Sequence, residues 1–169
     1  MRRNFLILAA ALVLFAPLAF STSARGAEVA KPYPAPTLDF ETLDGHLIRA
    51  KDLAGKVVLL DFWATWCAPC VAALPELEAI AKRYDPAKFK VISVSGDATQ
   101  PTLRLFLETH PSSITQVWDG KGKLRKLYGV LGFPTYLVID RQGQVVHQQL
   151  DWTSASGAAL SKVIEAQLK

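Results

Sequence analysis

The chain has 169 residues, half of them hydrophobic, and a formal charge of +4. Arg2, Arg3 and Arg25 carry +3 of that charge ahead of residue 28, so the remainder, with 16 basic and 15 acidic residues, is nearly neutral. The length fits one domain with a short extension, the balance gives no support to nucleic-acid binding, and two cysteines are too few for a disulfide-stapled scaffold.

Met1 to Asn4 is a basic head, and Phe5 to Phe20 is an apolar run of 16 residues. A spanning helix wants about 20. Small and polar residues follow from Ser21 to Ala27. Residues 1–27 therefore have the layout of an export signal, cleaved after Ala24 or Ala27, or retained as an N-terminal membrane anchor. No cysteine stands directly after the run, so no lipoprotein anchor is expected. The rest of the chain is expected outside the cytoplasm, in a periplasm, free or held at the inner membrane. Residues 28–36, with Pro32, Pro34 and Pro36, are expected to form an extended spacer without helix. Residues 37–169 are read as one domain.

Thr37 to Leu43 and His46 to Ile48, joined through Asp44-Gly45, predict a short hairpin. Asp52 to Lys56 reads as a turn. Val57 to Trp63 is an apolar run with one ionisable residue, Asp61, and predicts a buried strand. A helix is expected over Val71 to Tyr84, with Val71, Leu74, Leu77, Ala81 and Tyr84 inward, Glu78 and Lys82 paired outward, and a kink at Pro75. Phe89 to Val94 predicts a strand. Pro101 to Thr109 predicts a helix with Leu103, Phe106 and Leu107 inward. Ile114 to Trp118 reads as a short strand and Leu124 to Tyr128 as a helical turn. The basic residues Lys121, Lys123, Arg125 and Lys126 read as a solvated loop and helix start, with a partner-docking patch as the alternative. Thr135 to Asp140 and Val145 to Leu150 form a hairpin over Arg141 to Gln144. Ser154 to Leu168 closes the chain as a helix. The order predicts an α/β fold, a central mixed sheet with helices on both faces.

The chemistry centres on Trp66-Cys67-Ala68-Pro69-Cys70, which holds both cysteines. A strand that feeds a Cys-x-x-Cys opening a helix is a redox arrangement. A thiol at a helix start meets unpaired N–H groups and the positive end of the dipole, which favour the thiolate. Cys67 is therefore the expected nucleophile and Cys70, one turn inside, the resolving thiol. Trp66 is the better candidate for an exposed rim; Trp63 reads as packing. A zinc site needs about four ligands. His46, His110 and His147 stand singly, so no metal is expected. Pro134 alone reads equally as a strand-start proline or as a special turn.

Asp61 to Cys70, Pro75 within the following helix, and Gly132-Phe133-Pro134-Thr135 together resemble the thioredoxin family over residues 37–168. The export signal and the extra helix near 101–109 resemble its TlpA/ResA branch. The resemblance implies a thioredoxin fold with an N-terminal hairpin extension and an inserted helix. It implies a thiol–disulfide oxidoreductase that keeps partner disulfides reduced, of the type serving cytochrome c maturation or copper-site assembly. It implies no cofactor beyond the Cys67–Cys70 disulfide, and a membrane thiol transporter as electron donor. Ala68, Pro69, Trp66 and Phe133 become expected substrate contacts. Pro134 becomes a cis proline opposite the cysteines, where the preceding backbone pairs with an extended substrate. Asp61 matches the family's buried aspartate. ResA-like members often carry a glutamate three residues after the second cysteine, and this chain has Ala73 there. Two other readings remain: a metal- or haem-delivery chaperone using the two cysteines as ligands, and a redoxin-type peroxidase.

Overall fold

A computed structural model describes residues 26–36 and 39–169. The expected signal or anchor over residues 1–27 lies outside them except for its last two residues. In the described part no helix is long and apolar enough to cross a membrane.

The main sheet has six strands. In chain order these are β1 (Gly26–Pro34), β4 (Val57–Trp63), β5 (Phe89–Ser95), β6 (Thr115–Trp118), β7 (Thr135–Ile139) and β8 (Gln144–Gln149). Their spatial order is β1-β8-β7-β4-β5-β6. β4 pairs parallel with β5 and antiparallel with β7, and β5 pairs parallel with β6. The sheet is therefore mixed, as expected. β2 (Phe40–Glu41) and β3 (Leu47–Ile48) form the small hairpin, shorter than the sequence suggests.

β1 corrects the reading of residues 28–36. That segment is extended, but it is a strand of the main sheet rather than a spacer. Its register on β8 shifts between Glu28 and Tyr33. An edge strand tolerates Pro32 and Pro34, because no second neighbour needs their missing N–H groups. The turn at Asp52 is the end of a one-turn helix, α1 (Ala50–Leu53).

The helices fall on both faces. α2 (Ala68–Arg83) and α5 (Ser154–Leu168) bring Ala73, Leu77, Ile80, Leu160 and Ile164 onto Val57, Leu59, Val91 and Val138. On the opposite face, α1, the hairpin and α4 (Lys123–Leu127) cover Val58, Leu60, Phe62, Ile92 and Leu137. Every residue of β4 is buried, because both its faces are covered. Full burial of each large side chain contributes about 1.5–3 kcal/mol. The inserted helix α3 (Gln100–Thr109) caps the C-terminal end of β4, where Leu103 and Phe106 pack around Trp63.

The buried line of α2 differs from expectation. It runs through Cys70, Ala73, Leu77 and Ile80, while Val71, Leu74, Ala81 and Tyr84 are half-buried on its flank. Small side chains let the helix approach the sheet most closely, so Cys70 and Ala73 turn inward although bulkier apolar residues flank them. Glu78 does pair with Lys82 at 3.6 Å. It also accepts hydrogen bonds from Ser112, Ser113 and Ile114, tying α2 to the approach to β6.

Candidate active site

Cys67 is the N-cap of α2 and Cys70 lies in its first turn. The entry is set by backbone contacts. Cys67 N donates to the Ala64 carbonyl at 3.0 Å, and Val71 N donates to the Cys67 carbonyl at 3.0 Å, which opens the helix. Pro69 sits in the first turn, where a missing N–H costs nothing. The two cysteines are joined in a disulfide, with Cα atoms 5.2 Å apart. Cys67 is 6% exposed and Cys70 only 1%, while Trp66, Ala68 and Pro69 are exposed around them. What solvent access the pair has is thus greater at Cys67. Pro75 lies on the exposed side of α2, which continues through it.

Asp61 lies on β4, on the face that α2 and α5 cover, with Val57, Leu59 and Trp63 as alternation predicts. It is fully buried, and burial pushes its carboxyl up to about 7, against which a hydrogen bond from Ser93 pulls modestly down. Its cross-strand neighbours on that face are polar. Gln116, Ser93, Asp61, Tyr136 and Gln149 stand directly opposite one another across β6, β5, β4, β7 and β8. All five are buried. Burial, with the Asp61 and Asp151 charges nearby, drives the Tyr136 phenol well above its ordinary range.

The loop before β7 completes the site. The Phe133–Pro134 peptide is cis, as expected. Thr135 Oγ1 donates to the Gly132 carbonyl at 2.8 Å and closes the turn. The Phe133 ring packs on the cluster that holds both cysteines and lies 5.7 Å from the Trp66 ring. Trp66 is 70% exposed and Trp63 fully buried, so rim and packing roles separate as the sequence suggests. Leu131, on the same loop, is fully in solvent at 99% exposure.

Two residues that sequence reasoning passes over shape the site. A Cβ on Gly96 would come within 2.3 Å of the edge of the Phe133 ring, so only glycine leaves that ring its seat. Asp97, fully buried, accepts from Thr65 N, Thr65 Oγ1 and Ser95 Oγ. It holds the turn between β4 and Cys67 against the end of β5. Gly96-Asp97 directly after an apolar strand, in a chain whose site lies at the ends of parallel strands, is the signal that could have pointed there. Among the described residues no three of His, Cys, Asp and Glu gather as a metal site.

Thiol–disulfide chemistry is what such an arrangement supports: two cysteines able to close on each other, one at a helix start, on the helix that covers the sheet face bearing the buried Asp61 carboxyl. Similar proteins carry names of the same chemistry. Thiol-disulfide oxidoreductase ResA of Bacillus thuringiensis subsp. konkukian is 32% identical over 114 residues, which span 68% of this chain and 66% of ResA. Thioredoxin-like protein YneN of Bacillus subtilis is 34% identical, spanning 66% of each chain. The chain thus spans just under two thirds of the length of these relatives. A crystal structure of a candidate thiol:disulfide interchange protein DsbE from Chlorobium tepidum superposes with a TM-score of 0.77 at 36% identity, covering 82% of this chain and 98% of that one. The match to the AhpC/TSA family model runs over residues 32–148, from β1 through the CxxC, Asp97 and the cis-proline loop into β8, and the chain belongs to that family.

Proposed function

We propose that the protein is an exported thiol–disulfide oxidoreductase that reduces disulfides of partner proteins, of the kind met in cytochrome c maturation or copper-site assembly. The observation that carries this is the placement of Cys67 as N-cap of α2 with Cys70 one turn deeper and more enclosed. In the reduced protein the Cys67 thiolate attacks one sulfur of the substrate disulfide. A mixed disulfide forms and the second substrate sulfur leaves as a thiolate. Cys70 then attacks Cys67, the substrate departs as a dithiol, and Cys67–Cys70 closes as a disulfide. Asp61 takes the Cys70 proton in that step; a carboxyl held at about 7 can both accept it and give it up. The two electrons are restored from outside by a membrane thiol transporter. Residues 1–27 serve as export signal or anchor, and the domain works in the periplasm. Trp66, Ala68, Pro69 and Phe133 form the rim a substrate meets, with the backbone before Pro134 pairing to its extended segment. Neither cysteine stands alone, as a redoxin-type peroxidase would require.

The test uses the full chain in detergent, which keeps β1 intact. It should accelerate reduction of insulin by dithiothreitol, Cys67→Ser should not, and Cys70→Ser should hold a partner as a mixed disulfide. Equal rates for the parent and Cys67→Ser would reject the reading.

A further inference from the structure

The basic residues around α4 stand against the redox rim. The Arg125 guanidinium lies over the Phe133 ring, 5.2 Å from its centroid. Phe133 in turn leans on Trp66, the residue before Cys67. Two aromatic rings thus connect one cation to the disulfide. Lys121, Lys123 and Lys126 flank it and are exposed. None of these four cations forms an ion pair among the described residues.

The acid closest in sequence does not answer them. Asp119 is buried, and its two oxygens accept from the backbone N–H groups of Leu124 and Arg125 at 3.0 and 2.9 Å. It caps α4 instead of pairing outward. Arg125 Nε is buried and has no acceptor among the described residues, so an outside acceptor has to come to the terminal Nη groups. A guanidinium that lies on an aromatic face directs its terminal N–H groups past the ring in its own plane, and that pair matches a carboxylate. Apolar surface continues beside it in the exposed Leu127 and Leu131.

We propose that Arg125, seated on Phe133, receives an acidic side chain of the polypeptide segment presented to Cys67. The substrate class is then an extended, cysteine-bearing segment with Asp or Glu beside its disulfide. This rests on the reductase reading and specifies its substrate. The lysines raise the local concentration of such a segment by attraction, and Arg125 supplies the directional contact. The surrounding chain is nearly neutral, so the positive field is local to this rim.

Two synthetic peptides test it. Each carries one cysteine bonded to a chromophoric aryl thiol, and they differ only in Glu or Gln beside that cysteine. The reduced full chain should release the chromophore from the Glu peptide about fivefold faster at low salt. The ratio should fall toward one in 0.5 M salt and in Arg125→Gln. Arg125→Glu should invert the preference, so that the Gln peptide reacts faster than the Glu peptide. The ratio is the readout, so a general loss of activity in a variant does not mimic the result. Equal rates for the two peptides with the parent chain would overturn the acidic preference alone. A ratio that persists in Arg125→Gln would overturn the role of Arg125. A chain that reduces neither peptide would overturn the reductase reading beneath it.

Discussion

Ser93 donates its hydroxyl proton to Asp61 at 2.8 Å from the position directly opposite on the neighbouring parallel strand. The second Asp61 oxygen has no partner among the described residues. One hydrogen bond does not compensate an enclosed charge, which is why the carboxyl holds its proton up to about 7.

The sign of the resulting pH dependence follows from linkage. An aspartate in the unfolded chain titrates near 3.9. Between about pH 4 and pH 7 the unfolded chain binds fewer protons than the folded one, so stability falls as pH rises through that window and levels off above it. Asp61→Asn should remove the fall. It should stabilise the protein at pH 8, by on the order of 4 kcal/mol at most, and have little effect at pH 4. The same variant should slow resolution of the mixed disulfide. Urea melts at the two pH values and stopped-flow thiol exchange check both; a variant less stable at pH 8 and equally fast would make Asp61 structural.

Gly96→Ala should displace Phe133, because the new methyl and the ring claim one space. Overpacking of this kind costs about 1–3 kcal/mol. Moving a rim residue should also lower insulin reduction, by about tenfold. Adding Phe133→Ala to Gly96→Ala should recover much of the stability but not the activity. Additive losses in that cycle would show that the two residues do not compete.

Asp97→Ala should leave the Thr65 amide and the buried Ser95 hydroxyl without their acceptor. Leaving such donors unsatisfied costs about 1–3 kcal/mol each. Denaturant melts should show the loss, and hydrogen exchange at the Thr65 amide should speed up. Unchanged exchange there would mean that the turn before Cys67 holds itself without Asp97.

The parts of this molecule legible in its sequence are those set by local pattern. The uninterrupted apolar run Val57 to Trp63 marks the central strand, and two cysteines one helical turn apart mark the chemistry. Asp61 was legible because a lone acid in such a run is conspicuous. β1 was not: Pro32 and Pro34 argue against a strand unless its place at the sheet edge is known, and that place depends on β8, more than a hundred residues away. Gly96 and Asp97 were missed for a related reason. Their partners, Phe133 and Thr65, are distant in the chain, and a Gly-Asp pair after an apolar strand marks the site only once that strand is known to end beside the cysteines.

The buried polar row from Gln116 to Gln149 also bears on how the chain finds a single fold. β4 and β7 are enclosed on both faces, so alternation of apolar and polar residues cannot tell one pairing from the next. A one-residue slip of β7 would set Asp61 beside Leu137 or Thr135 and turn Tyr136 to the other side. Only one alignment stacks all five polar residues together, under the helix that carries the cysteines. Apolar replacements along that row would leave the sheet its greasy contacts and take away its ruler. Such a chain would hold together while losing the means to count.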